Sequence, residues 1–437
     1  MNRLPLARET LANGLELVLV PLPHLHTVTV IFAVKAGARY EAPSKNGISH
    51  VLEYMMFRGS RRFPSARALN LAIEELGGQL DATTHVDFTT YELTLPPESL
   101  EEGLDRFAEV LLAPLFLDLE LEKKILKEEL LEDLDEDGVD VNVDNLSRRL
   151  LFRDHGLGQT ITGTIDGILA LTEKDLREFL AHHYVGANSV IAVAGPFEPG
   201  RLAQVLARCF GGLPRGHRTV PNTPVLDGRG ERFGLVRDPG TQCHVRMSFH
   251  AYGESHPDGL ALDFLARTLD DGMGSRLHHR LRDQLGMAYD SFAGIDPYED
   301  CGVFDLGASV EHGKLPELLK ELHTLARGLR DADVSAEELE RVRKRYLWDL
   351  VATLDDAHNT ALWHATRTLF GVRESFDVAE ARAKSVTADD VRRVAADVFR
   401  DENVHVAVVG DPTGRVEDKA RGFVEGLGGP RGPIVVA

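Results

Sequence analysis

The 437-residue chain is too long for one ordinary core, so two or more folded units are expected. Its 43% apolar and 27% charged residues read as a soluble globular protein, and its net charge of −20 excludes the basic footprint that nucleic-acid binding needs. No apolar stretch is long enough to span a bilayer, and three cysteines (Cys209, Cys243, Cys301), an odd number with no C-x-x-C spacing, argue against a disulfide framework or a cysteine-ligated metal.

The opening residues, Met1 to Arg8, lack an apolar run followed by a small-residue cleavage site, so no secretory signal is expected and a cytoplasmic location follows. Asn13-Gly14 is a turn signal before the β-type run ending at Val20, and Val28 to Val34 reads as a buried strand. His24 and His26 flank a turn between them and read as surface residues. Next comes Gly47-Ile-Ser-His50-Val-Leu-Glu53-Tyr54-Met-Met-Phe57-Arg-Gly59-Ser60. On a helix His50, Glu53 and Tyr54 fall at i, i+3 and i+4 and share one face, while Val51, Leu52, Met55 and Met56 take most of the rest. Polar groups on so apolar a helix need partners, because leaving them unpaired costs roughly 2–7 kcal/mol each.

Ser65 caps a predicted helix ending at Gly77-Gly78. Gln79 to Leu95 alternates as one strand, with Leu80, Ala82, Val86 and Phe88 on one face and Asp81, His85, Asp87 and Tyr91 on the other. Helices are expected over Glu98 to Leu112 and over Asp118 to Asp135, where Glu122 and Glu129 stand two turns apart on one face. A helix over Leu171 to His183, a strand over Ser189 to Ala194 and a helix over Pro199 to Phe210 follow. The stretch 211–240 is rich in Gly, Pro, Arg and Asp without sustained period and reads as a linker. It divides an N-terminal half, 1–210, from a C-terminal half, 241–437.

The second half repeats the first. Leu171-Thr-Glu-Lys-Asp-Leu176 is echoed by Val386-Thr-Ala-Asp-Asp-Val391, and Ala192-Val-Ala-Gly195 by Ala407-Val-Val-Gly410, both at an offset of 215. Gly78 to Asp81 matches Met287 to Asp290, and Ser44 to Gly47 matches His256 to Gly259. The alignment sets His50 on Leu262, Glu53 on Leu265 and Tyr54 on Ala266. The second copy keeps the scaffold without the polar face, so that face serves something other than the fold.

His50-Val-Leu-Glu53-Tyr54 differs by one residue from H-x-x-E-H, in which two imidazoles and a distant glutamate bind zinc and the motif glutamate acts on the metal-bound water. Here the chain resembles the pitrilysin-type (inverzincin) metallopeptidases, which include insulin-degrading enzyme and mitochondrial processing peptidase. The resemblance runs from about Leu11 to Pro412 and includes the His50 segment, Asp81-Ala-Thr-Thr84 to Tyr91 and the glutamate-rich helix. It implies His50 and Glu129 as metal ligands, the latter 75 positions after Tyr54, with Glu122 as supporting carboxylate and Glu53 as catalytic base. Leu281-Arg282-Asp-Gln-Leu-Gly286-Met-Ala-Tyr289 resembles the segment whose arginine and tyrosine hold the substrate backbone.

Tyr54 stands where the resemblance implies a second zinc-binding histidine. A phenol ionises near pH ~10, whereas imidazole coordinates while neutral, so zinc is expected to be weakened or lost, with Tyr54 left as a weak ligand. His85, on the polar strand face, is the other candidate substitute. The expected fold is α+β: two homologous halves, each an antiparallel-rich sheet with helices on one face, together enclosing a peptide chamber. The expected function is a catalytically impaired subunit that binds unfolded or extended peptide through Arg282 and Tyr289. It is expected to form a homodimer, or a heterodimer with an active homologue, without nucleic-acid or membrane partners. Two alternatives stay open: an active zinc endopeptidase with a substitute ligand, and a structural subunit of a larger assembly.

Overall fold

The computed structural model describes residues 6–226 and 230–428. Positions 1–5 of the opening, 227–229 of the expected linker and 429–437 at the end of the expected second half lie outside them. The first half runs β1 (Ala7–Thr10), β2 (Glu16–Pro21), β3 (Val28–Val34), α1 (Ile48–Met56), α2 (Ala66–Glu74), β4 (Gln79–Thr84), β5 (Thr89–Leu95), α3 (Leu100–Leu112), α4 (Leu119–Leu130), α5 (Val143–Phe152), α6 (Ile165–Ala170), α7 (Glu173–His183), β6 (Ser189–Gly195) and α8 (Pro199–Phe210). The second runs β7 (Phe233–Val236), β8 (Gln242–Ala251), α9 (Gly259–Leu269), α10 (Arg276–His278), β9 (Ser291–Pro297), β10 (Gly302–Glu311), α11 (Leu315–Asp331), α12 (Ala336–Ala352), α13 (Ala357–Leu369), α14 (Phe376–Ser385), α15 (Ala388–Val398), β11 (His405–Val409) and α16 (Gly414–Gly426).

Two sheets form, ordered β1-β2-β6-β3-β5-β4 and β7-β11-β8-β10-β9. Each contains one parallel pair, β2 with β6 and β7 with β11, and is otherwise antiparallel. Apart from β1 the strands correspond one to one, and so do the helix starts: Thr172 with Asp175 and Thr387 with Asp390 both close reciprocal capping boxes. The repeat read from the sequence is therefore a repeat of structure. β7 starts inside the stretch read as linker.

The chain packs as two compact units, and each draws on both halves of the sequence. One holds the described residues up to Leu130, Thr160–Pro221 and Trp348–Ala379; the other holds Leu131–Gln159, Asn222–Leu347 and the described residues from Glu380. So α13 comes from the second half of the chain into the first unit, and α5 makes the opposite journey. The reason lies in the sheets. β3 is buried throughout, and apolar but for Thr29, because both its faces are covered. Val28, Val30, Phe32 and Val34 join the core with α1, α3 and α8, whereas Ile31 and Ala33 meet Ala361, Ala365 and Leu369 of α13. The small alanines let the helix approach closely. In the second unit α5 covers the corresponding face with Val143 against Ala407 and Val409, and also with charge. There Arg148 reaches Asp305 at 2.8 Å and Asp296 at 2.6 Å, and Ser147 meets Ser248 at 2.7 Å.

The run read as one strand from Gln79 to Leu95 is a hairpin. β4 and β5 pair antiparallel with Ala82 opposite Tyr91, and the chain reverses where the His85 N–H donates to the Phe88 carbonyl. The reversal contains no Gly or Pro, which is why alternation ran through it unbroken. It also changes the faces: Tyr91, expected beside Asp81, is fully buried while Asp81 is exposed.

His364 on α13 is buried, with its ring 5.3 Å from that of Phe376. Burial, with Arg8 and Arg367 close by, lowers its pKa from 6.5 to about 3. The unfolded chain takes up this proton as pH falls through its ordinary value while the folded chain resists, so stability is lost progressively on acidification. Urea unfolding of the native chain and of His364→Gln should show the variant gaining on the order of 2 kcal/mol relative to the native chain between about pH 6.5 and 4. A difference independent of pH would contradict a neutral buried imidazole.

Candidate functional site

Helix α1 is set by its N-terminus. Gly47 precedes it at φ 95°, where a side chain would be strained and a Cβ would lie 2.8 Å from the Thr162 carbonyl oxygen. No side chain of the cap residue satisfies the first turn; the buried Glu41 carboxylate does so, accepting from the N–H of Gly47 at 2.6 Å and of Ser49 at 2.8 Å. Asn46 donates to the same carboxylate at 2.9 Å and to the Thr160 carbonyl at 2.8 Å. Burial raises the Glu41 pKa, and these hydrogen bonds partly offset the rise.

From this start the apolar side chains Ile48, Val51, Leu52, Met55 and Met56 enter the core, and His50, Glu53 and Tyr54 share a face as the spacing requires. Helix α4 lies against α1 and brings Glu129 to that face. His50 Nε2 is 3.5 Å from Glu129 Oε1, and the Tyr54 hydroxyl donates to Glu129 Oε2 at 3.3 Å. The His50 and Tyr54 rings meet edge-on at 5.2 Å. Glu53 accepts a short hydrogen bond from the Thr84 hydroxyl at the end of β4. Two turns before Glu129 on α4, buried Glu122 pairs with Arg58, just past the end of α1.

Burial dominates the electrostatics. It lowers the His50 pKa, with Glu129 pulling the other way, and pushes Glu53 up to about 7 against the Thr84 hydrogen bonds. It also pushes Tyr54 up to about 12, reinforced by Glu129 and Glu53. His50 Nδ1 is buried without a hydrogen-bond partner among the described residues.

A catalytic zinc takes three protein ligands and leaves a fourth position open. His50 and Glu129 are ligand types. In the third place stands a phenol whose proton is directed at Glu129 and whose pKa is raised, the opposite of what ligation requires. His85 does not replace it: its ring stacks on Phe88 at 4.1 Å, and among the described residues no three His, Cys, Asp or Glu side chains are grouped to hold a metal ion. The residues present do not fit a three-ligand zinc site.

Arg282 and Tyr289 belong to the other unit. Arg282 lies in a wide, π-type helical turn, His279–Gln284, which follows α10. Its guanidinium sits 5.3 Å over the Tyr289 ring and 3.6 Å from Met273 Sδ. Tyr289 is 85% exposed, so the pair presents a free cation–aromatic surface.

Three members of the site escaped the sequence reading. Thr84 stood inside a quoted segment with no sign that its hydroxyl meets Glu53. Arg58 stood in the quoted motif with no sign that it meets Glu122. Glu41 carried no signal, because its carboxylate reaches the helix start through the fold of a loop.

The profile of the insulinase family (peptidase family M16) matches residues 17–165, and that of the peptidase M16 inactive domain matches residues 170–346. An uncharacterized zinc protease of Streptomyces coelicolor is 30% identical over 411 residues, covering 90% of this chain and 87% of that protein. An uncharacterized zinc protease of Bacillus subtilis is 26% identical over 400 residues, covering 90% and 96%. In fold, the crystal structure of a protease from Helicobacter pylori matches with a TM-score of 0.86 at 22% identity, covering 93% of this chain and 100% of that one. A peptidase M16 inactive domain from Pseudomonas fluorescens matches with a TM-score of 0.85 at 18% identity, covering 94% and 99%. Among the described residues no helix is long and apolar enough to cross a membrane.

Glu41→Ala leaves two buried N–H groups without an acceptor and should lower stability by about 2 kcal/mol or more. Hydrogen exchange of the full chain should show the amides of Gly47 and Ser49 losing protection first; unchanged protection there would remove Glu41 from the helix start.

Proposed function

The chain belongs to the insulinase-type peptidase family M16, and from that premise we propose that it is a catalytically impaired member that binds extended peptide and works beside an active homologue. The observation that carries this reading is the Tyr54 hydroxyl hydrogen-bonded to Glu129 in place of a second imidazole. Without three ligands the metal-bound water that Glu53 would deprotonate is not generated, and Glu53 has no nucleophile to act on.

Peptide binding needs none of this. Arg282 can donate several N–H groups to peptide carbonyls, and the exposed Tyr289 ring and hydroxyl offer both stacking and a hydrogen bond. Main-chain recognition of this kind asks little of the peptide sequence. The partner in this reading is a homologue with intact H-x-x-E-H, in the cytoplasm.

A second reading, an active zinc endopeptidase, draws on the retained Glu53, Glu122 and Glu129 and on relatives named as zinc proteases. Elemental analysis separates the two. The native chain should hold less than roughly a tenth of a zinc per chain after dialysis, and Tyr54→His close to one. Near-stoichiometric zinc in the native chain, with peptide hydrolysis abolished by Glu53→Gln, would replace the first reading by the second.

Peptide binding is tested separately. Arg282→Ala should weaken binding of a fluorescent unfolded peptide to the native chain about tenfold or more, and Tyr289→Ala by a similar factor. Native affinity in both variants would remove the pair from the binding surface.

A further inference from the structure

We infer that Tyr54 has taken over the metal's mechanical part: through Glu129 its phenol ties α1 to α4, so the first unit holds this helix pair together without any ion. The inference rests on the metal-poor reading of the site above and goes beyond it, because a lost ligand need not be replaced by anything.

A metal between these helices would do two jobs. It would activate water, and it would draw an imidazole on α1 and a carboxylate on α4 to one point. The first job needs an open coordination position, whereas the second needs only a bridge. In this chain the bridge is the Glu129 carboxylate itself. One of its oxygens accepts from the Tyr54 hydroxyl at 3.3 Å and the other faces His50 Nε2 at 3.5 Å. A single carboxylate shared by two groups on successive turns explains why the Tyr54 hydrogen bond is long and why His50 comes no closer than 3.5 Å.

The geometry favours this use of the phenol. Tyr54 stands one turn after His50 on the same face, and the edge-on contact of the two rings at 5.2 Å fixes the hydroxyl toward α4. A phenylalanine would keep the ring contact and lose the bridge; a histidine would be too short to keep the bridge but would suit a metal. Two turns away on α4, Glu122 holds Arg58, just past the end of α1. Metal binding at Glu129 would have to break the Tyr54 bridge.

Thermal unfolding of the full chain tests this, using native chain, Tyr54→Phe, Glu129→Ala, the double variant and Tyr54→His, each with chelator and with added zinc chloride. The native midpoint should not move with either addition. Tyr54→Phe and Glu129→Ala, which removes the acceptor altogether, should each lower it by about 2–4 °C, and the double variant should fall no further than the worse single one, as for partners in one interaction. Tyr54→His should be low in chelator and rise with zinc. A native midpoint that falls in chelator overturns both the metal-poor reading and this inference. A native chain indifferent to chelator, with Tyr54→Phe as stable as native or with single effects that simply add, overturns this inference alone.

Discussion

Everything at this site follows from the cost of placing three polar side chains on a helix that is otherwise part of the core. The apolar side of α1 has to be buried, and that burial carries His50, Glu53 and Tyr54 out of bulk water with it. Each must then find a protein partner or forfeit several kcal/mol. The partners arrive from different elements, Glu129 from α4 and Thr84 from the β4 end, while Glu41 from the loop before α1 serves the backbone N–H groups of the helix start. The second copy of the repeat shows the same helix relieved of the burden, with Leu262, Leu265 and Ala266 buried in its core.

The same comparison separates scaffold from site. Both sheets keep strand order, the parallel pair and the capping boxes, although their second faces are covered in different ways. The first takes small apolar side chains from α13, and the second takes an ion-paired arginine from α5. A buried ion pair adds little net stability over a well-packed apolar contact, but breaking it by removing one partner is costly. It therefore fixes where α5 sits more than how firmly.

Local patterns were readable and non-local ones were not. Periodicity placed α1, α2, α7, α8 and β6, because caps such as Ser65 and Thr172 act within a few residues. Spacing alone put Glu122 and Glu129 on one face of a helix and His50 with Tyr54 on one face of another. Their meeting across 75 positions came from resemblance and was matched by distance. The hairpin at His85 to Phe88 was missed because strict alternation continued through a turn without Gly or Pro. The burial of Tyr91 was missed with it; its hydroxyl meets that of Tyr184 at 2.8 Å, a contact between residues no local pattern relates. The exchange of α5 and α13 left no trace in either segment, since an amphipathic helix does not record which sheet it will cover.

That exchange bears on how the protein is made. A ribosome delivers the first sheet complete by Gly195, yet the helix that seals its second face begins only at Ala357. Until then Val18, Val20, Ile31 and Ala33 face water on a nascent chain that already has strands to offer its neighbours. Such surfaces are what aggregation begins from and what holdase chaperones recognise. A gene cut at the middle of this sequence would yield two fragments, each lacking one helix of its own fold and carrying one that belongs to the other.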